Sequence, residues 1–352
     1  MRDCHGRTID YLRISVTDRC NLRCKYCMPE EIDCVEHRNI LSLEEIHTIV
    51  SCGANLGIRH VKLTGGEPLV RKDCCRLVNI LKEIPGIENV TITTNGVLLK
   101  RYFRELLAAG IDGINISLDT VDRKLYQAVT GQDQLEQVLQ VIEQAADSSV
   151  PVKVNAVSAD YRNTPGFKKW DGRNVWQPLV ELARNHLVDV RFIELMPVGY
   201  GKNFAALDHQ RFLEELKQAY PKLERDENRH GFGPAVYYRI PGFLGSIGLI
   251  SAMHGKFCGQ CNRVRLTSQG YLKSCLCYED GVDLRRILRQ EESRYQKPGQ
   301  TMQKRTKGQA NHLLKDRLTR AMQQAIWEKP EAHCFERLEQ MTEKRGMSAI
   351  GG

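Results

Sequence analysis

Strand-like and helix-like segments alternate through residues 11–195, and this alternation constrains the fold more than any other feature of the sequence. A helix begins at Ser42, where Glu45 three residues later completes a capping box, and it ends before Gly57. Strands joined by helical crossovers form a parallel sheet that curls into a barrel. The predicted elements are six strands, at 11–17, 58–64, 89–94, 113–118, 152–159 and 189–195, with further helices at 102–109 and 135–146.

Six strand–helix units are fewer than the eight that close a complete barrel, so the opening needs a cover. From about residue 205 the alternation stops, a helix is predicted over 208–220, and short strands with glycine-rich turns follow. The predicted fold class is therefore α/β. A partial (β/α)6 TIM-like barrel occupies residues 1–204, and a carboxy-terminal α+β domain over residues 205–352 covers the opening.

Three cysteines follow the first predicted strand in a C-x3-C-x2-C pattern, at Cys20, Cys24 and Cys27. They supply three thiolates from one loop, which is one fewer than a closed tetrahedral metal site needs. This spacing favours an iron–sulfur cluster with one open coordination position. Zinc with His5 or His37 as the fourth ligand is an alternative, and unliganded core cysteines are another.

A second cysteine group lies at Cys258, Cys261 and Cys275, again with three thiols and no obvious fourth ligand. Cys277 lies two residues beyond the last of them, so a four-cysteine zinc site is an open alternative. Arg263 and Arg265 stand two apart between these cysteines and share one side of the chain if it is extended. A pair of guanidinium groups beside a metal centre suits phosphate oxygens, although ordinary surface arginines in a hairpin would give the same pattern.

Composition narrows the class of protein. The 352 residues include 41% hydrophobic and 27% charged residues, as in an ordinary globular protein, with no apolar run long enough to span a membrane. The amino terminus lacks the apolar region of a secretory signal, which predicts a cytoplasmic protein whose thirteen cysteines are not paired in disulfides. The net charge of +8 suits an anionic small molecule and equally a nucleic acid. The basic stretch at residues 294–320 is interpreted as a solvated surface insertion.

Polar and glycine-containing motifs follow several predicted strands at the edge where parallel barrels bind ligands. Gly65-Gly66-Glu67-Pro68 comes directly after the second strand, where two glycines let the backbone approach a ligand and Glu67 offers an acceptor to a cationic group. The groups that follow later strands are Thr93, Ser117, Asp119 and the run 194–197. Their shared position predicts a binding site at this edge, whereas the glycine motif alone would fit a tight turn equally well.

These motifs together resemble the radical S-adenosylmethionine (SAM) superfamily, and within it the branch that cyclises GTP in molybdenum cofactor biosynthesis. The resemblance rests on the first cysteine motif with Tyr26, on Gly65–Pro68, on the run 257–265 and on the final Gly351-Gly352. It implies two [4Fe-4S] clusters, the first binding SAM and the second binding the guanine of GTP. It also implies that the carboxy-terminal domain is an iron–sulfur and substrate-binding domain. The implied reaction is that of a lyase: a 5′-deoxyadenosyl radical takes the 3′ hydrogen of GTP, and C3′ then attacks C8 to give (8S)-3′,8-cyclo-7,8-dihydroguanosine 5′-triphosphate.

The resemblance also implies roles for individual residues. Arg13, Arg263 and Arg265 are implied to take part in catalysis, and the Gly351-Gly352 tail is implied to enter the active site. Residues 160–174 and 294–320 depart from the family pattern and are interpreted as surface insertions. The implied sets are Cys20, Cys24 and Cys27 with Cys258, Cys261 and Cys275 for the clusters; Tyr26, Gly66, Glu67, Ser117 and Met196 for SAM; and Arg13, Lys62, Thr93, Lys153, Arg263, Val264 and Arg265 for GTP.

Partners follow from the same resemblance. It implies a reductant protein such as flavodoxin or ferredoxin, a pathway partner in cyclic pyranopterin monophosphate synthase, and a monomer or homodimer, with no membrane or nucleic-acid partner. Two rival classes are weighed against it. One is a two-cluster radical SAM enzyme that modifies a peptide or protein, in which Cys277 would serve as an extra ligand. The other is a zinc-ribbon nucleic-acid binder, which leaves the motifs at the barrel edge unexplained.

Overall fold

The computed structural model describes residues 1–28, 35–161, 163–164, 167, 175–228, 230–295 and 307–351. Within these ranges the strands belong to one continuous sheet. The strands are β1 Tyr11–Ser15, β2 His60–Thr64, β3 Asn89–Thr94, β4 Gly113–Ser117, β5 Val152–Ser158, β6 Val188–Glu194, β7 Glu224–Asp226, β8 Val236–Arg239, β9 Ile247–Ile250, β10 Arg263–Leu266, β11 Tyr271–Lys273 and β12 Gly281–Asp283. The α-helices are α1 Leu43–Asn55, α2 Cys74–Lys82, α3 Leu99–Ala108, α4 Arg123–Thr130, α5 Leu135–Ala146, α6 Trp176–Asn185, α7 His209–Ala219, α8 Leu284–Tyr295 and α9 Lys307–Trp327.

The order of the sheet confirms the predicted partial barrel. Strands β1 to β6 pair in chain order and all in parallel, and their bounds differ from the predicted ones by two residues or fewer. The sheet then continues at both edges, because β10 pairs in parallel with β1 and β9 pairs in parallel with β6. Strands from before and after residue 204 therefore hydrogen-bond into one sheet. The division into two domains at that residue stays a prediction.

Local sequence signals explain why the elements begin where they do. Ser42 Oγ accepts a hydrogen bond from the Glu45 backbone at 3.1 Å, and Glu45 Oε2 accepts one from the Ser42 backbone at 2.7 Å. This is the predicted capping box, and it satisfies backbone donors that the first turn of α1 leaves open. The predicted helix at 135–146 is confirmed as α5, whereas α3 begins at Leu99, three residues earlier than predicted.

The interpretation of residues 294–320 as a solvated insertion agrees with the exposed side chains at 311–313, 315 and 320 but is wrong at Leu318. Residues 307–320 belong to α9, whose Leu318 and Met322 are fully buried. Gly53 of α1 leaves room for this contact, because a Cβ built there would lie 3.3 Å from Met322 Cε. Apolar residues spaced four apart supply the buried face, and the basic residues between them obscured that spacing in the sequence. Residues 296–306 lie outside the described ranges.

Part of the stretch at 160–174 is also packed against the barrel. Tyr161 and Phe167 are buried in a small apolar cluster with Leu125 and Val129 of α4. The described part of this stretch therefore does not behave as a purely surface insertion. Residues 162, 165–166 and 168–174 lie outside the described ranges. Among the helices in the described ranges, none has the length and apolar character needed to cross a bilayer.

Candidate active site

The barrel encloses a cavity of about 970 Å³ that collects most of the residues predicted for the site. Its wall combines the first cysteine loop, the loop after β2 and the inward-facing side chains of the parallel strands. Cys258, Cys261, Cys275 and Val264 do not line it. Predicted site residues in the cavity wall are Arg13, Cys20, Cys24, Tyr26, Cys27, Lys62, Gly66, Glu67, Thr93, Ser117, Lys153, Met196, Arg263 and Arg265.

The first cysteine loop brings its three thiols to one side of this cavity. The loop folds back on itself, with the Cys27 and Met28 backbone N–H groups both donating to the Cys24 carbonyl at 2.9 Å. Burial raises the pKa of Cys24 well above its ordinary value and that of Cys27 to about 12, and the neighbouring thiols add to both shifts. These thiols therefore stay protonated until a metal centre displaces the protons. The fit to an iron–sulfur cluster rests on the three thiols that this one loop supplies to the cavity wall.

The glycine pair after β2 lets its loop lie directly against the segment that leads into the cysteines. A Cβ on Gly66 would stand 2.4 Å from the Arg19 carbonyl oxygen, which no other residue could tolerate. The loop is held there because Gly66 and Glu67 donate from their backbone N–H groups to Thr17 and Arg19, each at 2.8 Å. The Gly-Gly sequence is therefore required by a close backbone approach rather than by a turn alone.

Glu67 uses its buried carboxylate within the protein. Oε1 accepts from Leu69 N at 3.0 Å and from Thr94 Oγ1 at 2.8 Å, while Oε2 accepts from Asn95 N at 2.7 Å. Burial raises the pKa of Glu67 to about 7, against the lowering effect of these donors. Glu67 thus ties the loop after β2 to the end of β3. Its assignment as a cofactor-binding residue stays a prediction.

Tyr26 and Asp119 join the cysteine loop to the far side of the barrel. Tyr26 donates to Asp119 Oδ2 at 2.7 Å, and the Val157 backbone donates to Asp119 Oδ1 at 2.8 Å. Burial raises the pKa of Asp119 to about 6. The contact fixes the loop against the ends of β4 and β5, beside the predicted cofactor residues Ser117 and Met196.

A row of cations crosses three adjacent strands on the wall of the same cavity. In the strand register Arg13 of β1 stands between Arg265 of β10 and Lys62 of β2. Burial and the nearby Arg263 and Arg191 guanidinium groups lower the pKa of Arg13 to about 10. Burial, Arg191 and Arg13 likewise lower the pKa of Lys62 well below its ordinary value. Cations that depress one another's ionisation form a site that favours a multiply charged anion.

Arg191 is a member of this cationic wall that the sequence reasoning missed. Its Nε donates to Asn155 Oδ1 at 2.9 Å, and its Nη2 donates to Asn115 Oδ1. Two side-chain amides thus hold the Arg191 guanidinium in the cavity wall. Because both amides are neutral, they do not neutralise its charge. The available signal was the position of Arg191 in β6, where alternation places it on the same side as Asp189 and Ile193, which also line the cavity.

Lys153 lies at the part of the cavity closed by the chain between β7 and β8. Its Nζ stands 3.1 Å from both Asp189 Oδ2 and Tyr237 Oη, and it also donates to the His230 carbonyl. The same segment packs Phe232 on the His60 ring with 3.5 Å between centroids. Lys153 therefore lies in the cavity wall, where it forms an ion pair with Asp189. An incoming anion would compete with the Asp189 carboxylate for the Lys153 ammonium group.

The second cysteine group flanks Arg263 and Arg265 in the sequence, but its three thiols do not line the cavity as the two arginines do. Arg7 donates to the Cys258 carbonyl at 2.9 Å, which ties this group to the amino terminus. Burial opposes ionisation of Cys261, but the charges of Lys329 and Arg263 outweigh it and lower the pKa of that thiol to about 7. A thiol ionised near neutral pH is suited to bind a metal centre.

Val264 and Cys277 both lie outside the cavity wall. Val264 is fully buried in the core, because alternation along β10 turns its side chain away from the cavity that Arg263 and Arg265 line. Cys277, considered above as a fourth ligand, has its Sγ 3.4 Å from Cys334 Sγ. In the described part of the chain no three His, Cys, Asp or Glu side chains converge closely enough to hold a single metal ion.

Residues 341–351, here called the terminal segment, pack against both cysteine groups, because Met347 and Ile350 share an apolar cluster with Cys275. The Ser348 backbone is near enough to the Cys27 thiol to oppose the rise in its pKa. Gly351 adopts a left-handed φ of +81° and offers its carbonyl oxygen to Arg265 Nη1 at 2.6 Å. The first residue of the Gly-Gly tail thus reaches the cavity wall. Gly352 lies outside the described ranges.

Comparison with known proteins shows the same combination of features. The family described as Radical SAM superfamily matches residues 14–161, and the family described as Molybdenum Cofactor Synthesis C matches residues 188–335. The GTP 3′,8-cyclase of Clostridium perfringens (strain SM101 / Type A) is 38% identical over 353 residues, covering 100% of both chains. That of Peptoclostridium acidaminophilum is 43% identical over 292 residues, covering 82% of this chain and 87% of the relative.

Solved structures agree at the level of the fold. SuiB of Streptococcus suis, in a crystal structure bound to S-adenosylmethionine, superposes with a TM-score of 0.61 and 16% sequence identity. The superposition covers 96% of this chain and 76% of SuiB. At that identity the likeness concerns the fold alone.

The partial barrel and its cysteine loop define an enzyme of the radical SAM class, which implies an iron–sulfur cluster and SAM as cofactors. Full-length similarity narrows this class, and the chain belongs to the GTP 3′,8-cyclase family.

Proposed function

We propose that this enzyme converts GTP into (8S)-3′,8-cyclo-7,8-dihydroguanosine 5′-triphosphate, a step of molybdenum cofactor biosynthesis. The observation that carries the proposal is the cation row of Arg265, Arg13 and Lys62, which shares one cavity with the first cysteine loop. A nucleoside triphosphate brings about four negative charges, which such a row would bind. Membership in the cyclase family supports GTP as the nucleotide.

Cys20, Cys24 and Cys27 would hold the first [4Fe-4S] cluster, with SAM on its open iron. When bound, this pair supplies the 5′-deoxyadenosyl radical that removes the 3′ hydrogen of GTP. Tyr26, Gly66, Ser117 and Met196 line the cavity beside the cysteines and would contact SAM. Glu67 acts on the cofactor through the backbone that its carboxylate orients, because both of its oxygens accept from protein groups.

A second [4Fe-4S] cluster would be held by Cys258, Cys261 and Cys275. The lowered pKa of Cys261 supports this assignment, since a ligand thiol must be ionised. Its open position would bind the guanine base of GTP and hold C8 near C3′. Two clusters of one type, each with three protein ligands, would give the enzyme two open positions for two different substrates.

The chain's own contribution is to bind and orient the substrate. Lys62, Thr93 and Lys153 would bind the triphosphate, for which Lys153 must exchange Asp189 for a phosphate oxygen. Arg13, Arg263 and Arg265 would hold the ribose and phosphates so that C3′ faces the cofactor; Val264 could contribute through its backbone only. Guanidinium groups fixed in the cavity wall would keep the reactive substrate in one orientation.

The proposed reaction requires two electrons in each turnover: one cleaves SAM, and the second, together with a proton, reduces the nucleotide radical that remains after C3′ bonds to C8. We assign both to a reductant protein such as flavodoxin or ferredoxin. The product would pass to cyclic pyranopterin monophosphate synthase. We propose action in the cytoplasm, where thiols stay reduced, because the chain carries thirteen cysteines. A monomer or homodimer would suffice, since one chain supplies every residue of the proposed site.

The proposal is tested by anaerobic reconstitution followed by turnover with SAM, a strong reductant and either GTP or ATP. We expect a cyclised product from GTP only, and about eight irons per chain. Replacing either cysteine group with alanines should leave about four irons, and each variant should lose cyclisation. Four irons in the wild-type enzyme would contradict the second cluster, and deoxyadenosine formation that GTP does not influence would contradict the substrate.

A further inference from the structure

The terminal segment contacts both cysteine groups. At its middle, a Cβ on Gly346 would lie 3.4 Å from the Cys27 carbonyl oxygen, and Met347 and Ile350 share an apolar cluster with Cys275. At its end Gly351 accepts from Arg265. A shift of the segment by one residue would break all of these contacts together, so something must fix its register.

Glu343 is the residue that fixes it. Its carboxylate is buried, and Oε1 accepts from the Arg345 backbone and from Arg345 Nε, both at 2.9 Å. Its Oε2 accepts from Lys273 Nζ and from Arg345 Nη2, the latter at 2.8 Å. The Glu343 backbone also donates to the Cys277 carbonyl at 3.2 Å. Four donors around one buried carboxylate leave it a single position.

Lys273 connects this anchor to the substrate wall. It lies on β11 directly opposite Arg265 in the antiparallel register, and two residues before Cys275. Its side chain is fully buried, and its Nζ also donates to the Tyr278 carbonyl. The hairpin of β10 and β11 therefore carries both Arg265 and Lys273, and the proposed cluster ligand Cys275 follows it directly. Lys273 supplies the ammonium group that bonds to the terminal segment.

A buried ion pair is a poor way to gain stability, because desolvation of both charges offsets most of their attraction. Its recognised use is to specify one arrangement among several apolar ones. The apolar contacts of this region, made by Ile350, Met347 and Val198, could form in more than one register. The charged contact cannot, since moving either partner leaves an unpaired charge in the core.

We propose that Lys273 and Glu343, here called the anchor pair, are positioning residues that hold the terminal segment across both cysteine loops. Gly351 then meets Arg265 in one geometry only. Breaking the anchor pair would remove the terminal contact of Arg265, while the first cysteine loop would keep its own backbone hydrogen bonds to the Cys24 carbonyl. Radical formation and cyclisation would therefore become uncoupled. The uncoupling part of this proposal rests on the proposed function, whereas the ordering of the segment does not.

The test compares three variants of the reconstituted holoenzyme. Glu343→Gln removes the charge that Lys273 needs, and the double variant Lys273→Met/Glu343→Leu removes both charges at similar volume, which protects against simple unfolding. Glu336→Gln is the matched control, because Glu336 forms an exposed ion pair with Lys256 just before the same segment. Hydrogen exchange is measured at the backbone amides of residues 346–351, and deoxyadenosine and cyclised product are counted in the same preparations.

We expect amide protection of the terminal segment to fall at least about tenfold in both anchor variants and to stay unchanged in Glu336→Gln. The ratio of deoxyadenosine to cyclised product should rise about tenfold in the anchor variants, a change that loss of folded protein alone would not cause. Unchanged protection in the double variant, or an equal loss in the control, would overturn the proposal. If the wild-type enzyme makes no cyclised product while protection still falls, the proposed function fails and the anchoring stands.

Discussion

Arg265 Nη1 lies 2.6 Å from the carbonyl oxygen of Gly351, so the terminal segment is bonded to a member of the cationic wall. Arg265 is half-buried, and desolvation together with the charges of Arg13 and Arg263 lowers its pKa well below the ordinary value. A neutral carbonyl accepts a hydrogen bond from this crowded guanidinium without neutralising it. The cation therefore keeps its charge for the substrate while its orientation is fixed.

Deleting Gly351 and Gly352 removes this acceptor. We expect formation of the cyclised nucleotide to fall at least about 100-fold, because a reacting group displaced by about 1 Å costs that much. Deoxyadenosine formation from SAM should persist, since the cysteine loop does not depend on the deleted residues. Mass spectrometry of both products in one reaction measures the two rates, and undiminished cyclisation would show that the tail plays no part.

Lys62→Met should make the nucleotide-free protein more stable and its complex weaker. The substitution removes one cation from a row whose members repel one another, which we expect to add about 1 kcal/mol to the free energy of unfolding. In the proposed complex Lys62 contacts a phosphate, so GTP should raise the melting temperature of the variant less than that of the wild type. Thermal unfolding with and without GTP tests both effects, with the exposed Lys217→Met as control. A destabilised variant that still responds fully to GTP would refute the account of the cation row.

Glu343 should make stability depend on pH in a defined window. Burial opposes its ionisation, but the hydrogen bonds from Arg345 and Lys273 outweigh this and lower its pKa from 4.5 to about 2. An acid with a lowered pKa stabilises the fold above its unfolded value, and that contribution disappears as the pH falls from 4.5 toward 2.

The free energy of unfolding of Glu343→Gln should therefore lie about 3 kcal/mol below that of the wild type at pH 7, and the gap should narrow below pH 4.5. Urea unfolding of cluster-free protein at a series of pH values measures this gap. A difference that stays constant from pH 7 to pH 3 would mean that Glu343 carries no special charge interaction.

The sequence was most informative where structure is local. The strand at Asn89–Thr94 and the helix at Leu135–Ala146 were predicted to the residue, because their burial follows a regular period and their ends carry clear turn signals. The first cysteine loop was equally accessible, since its three cysteines lie within eight consecutive residues.

Contacts between distant parts of the chain were not accessible in this way. The parallel pairing of β10 with β1 joins residues about 250 positions apart, and neither segment carries a sequence signal that identifies its partner. The bond between Lys273 and Glu343 spans 70 positions, and each residue alone is typical of a surface. Arg191 was missed for the same reason, because its role depends on amides contributed by two other strands.

The most direct test of the central claim is anaerobic turnover with SAM, a strong reductant and GTP deuterated at C3′. The account predicts that deuterium appears in 5′-deoxyadenosine as the cyclised nucleotide forms, because the radical generated beside Cys20, Cys24 and Cys27 must reach C3′ of a nucleotide held by the cation row. Deoxyadenosine that forms without deuterium would contradict it, since the hydrogen would then come from another position or another substrate.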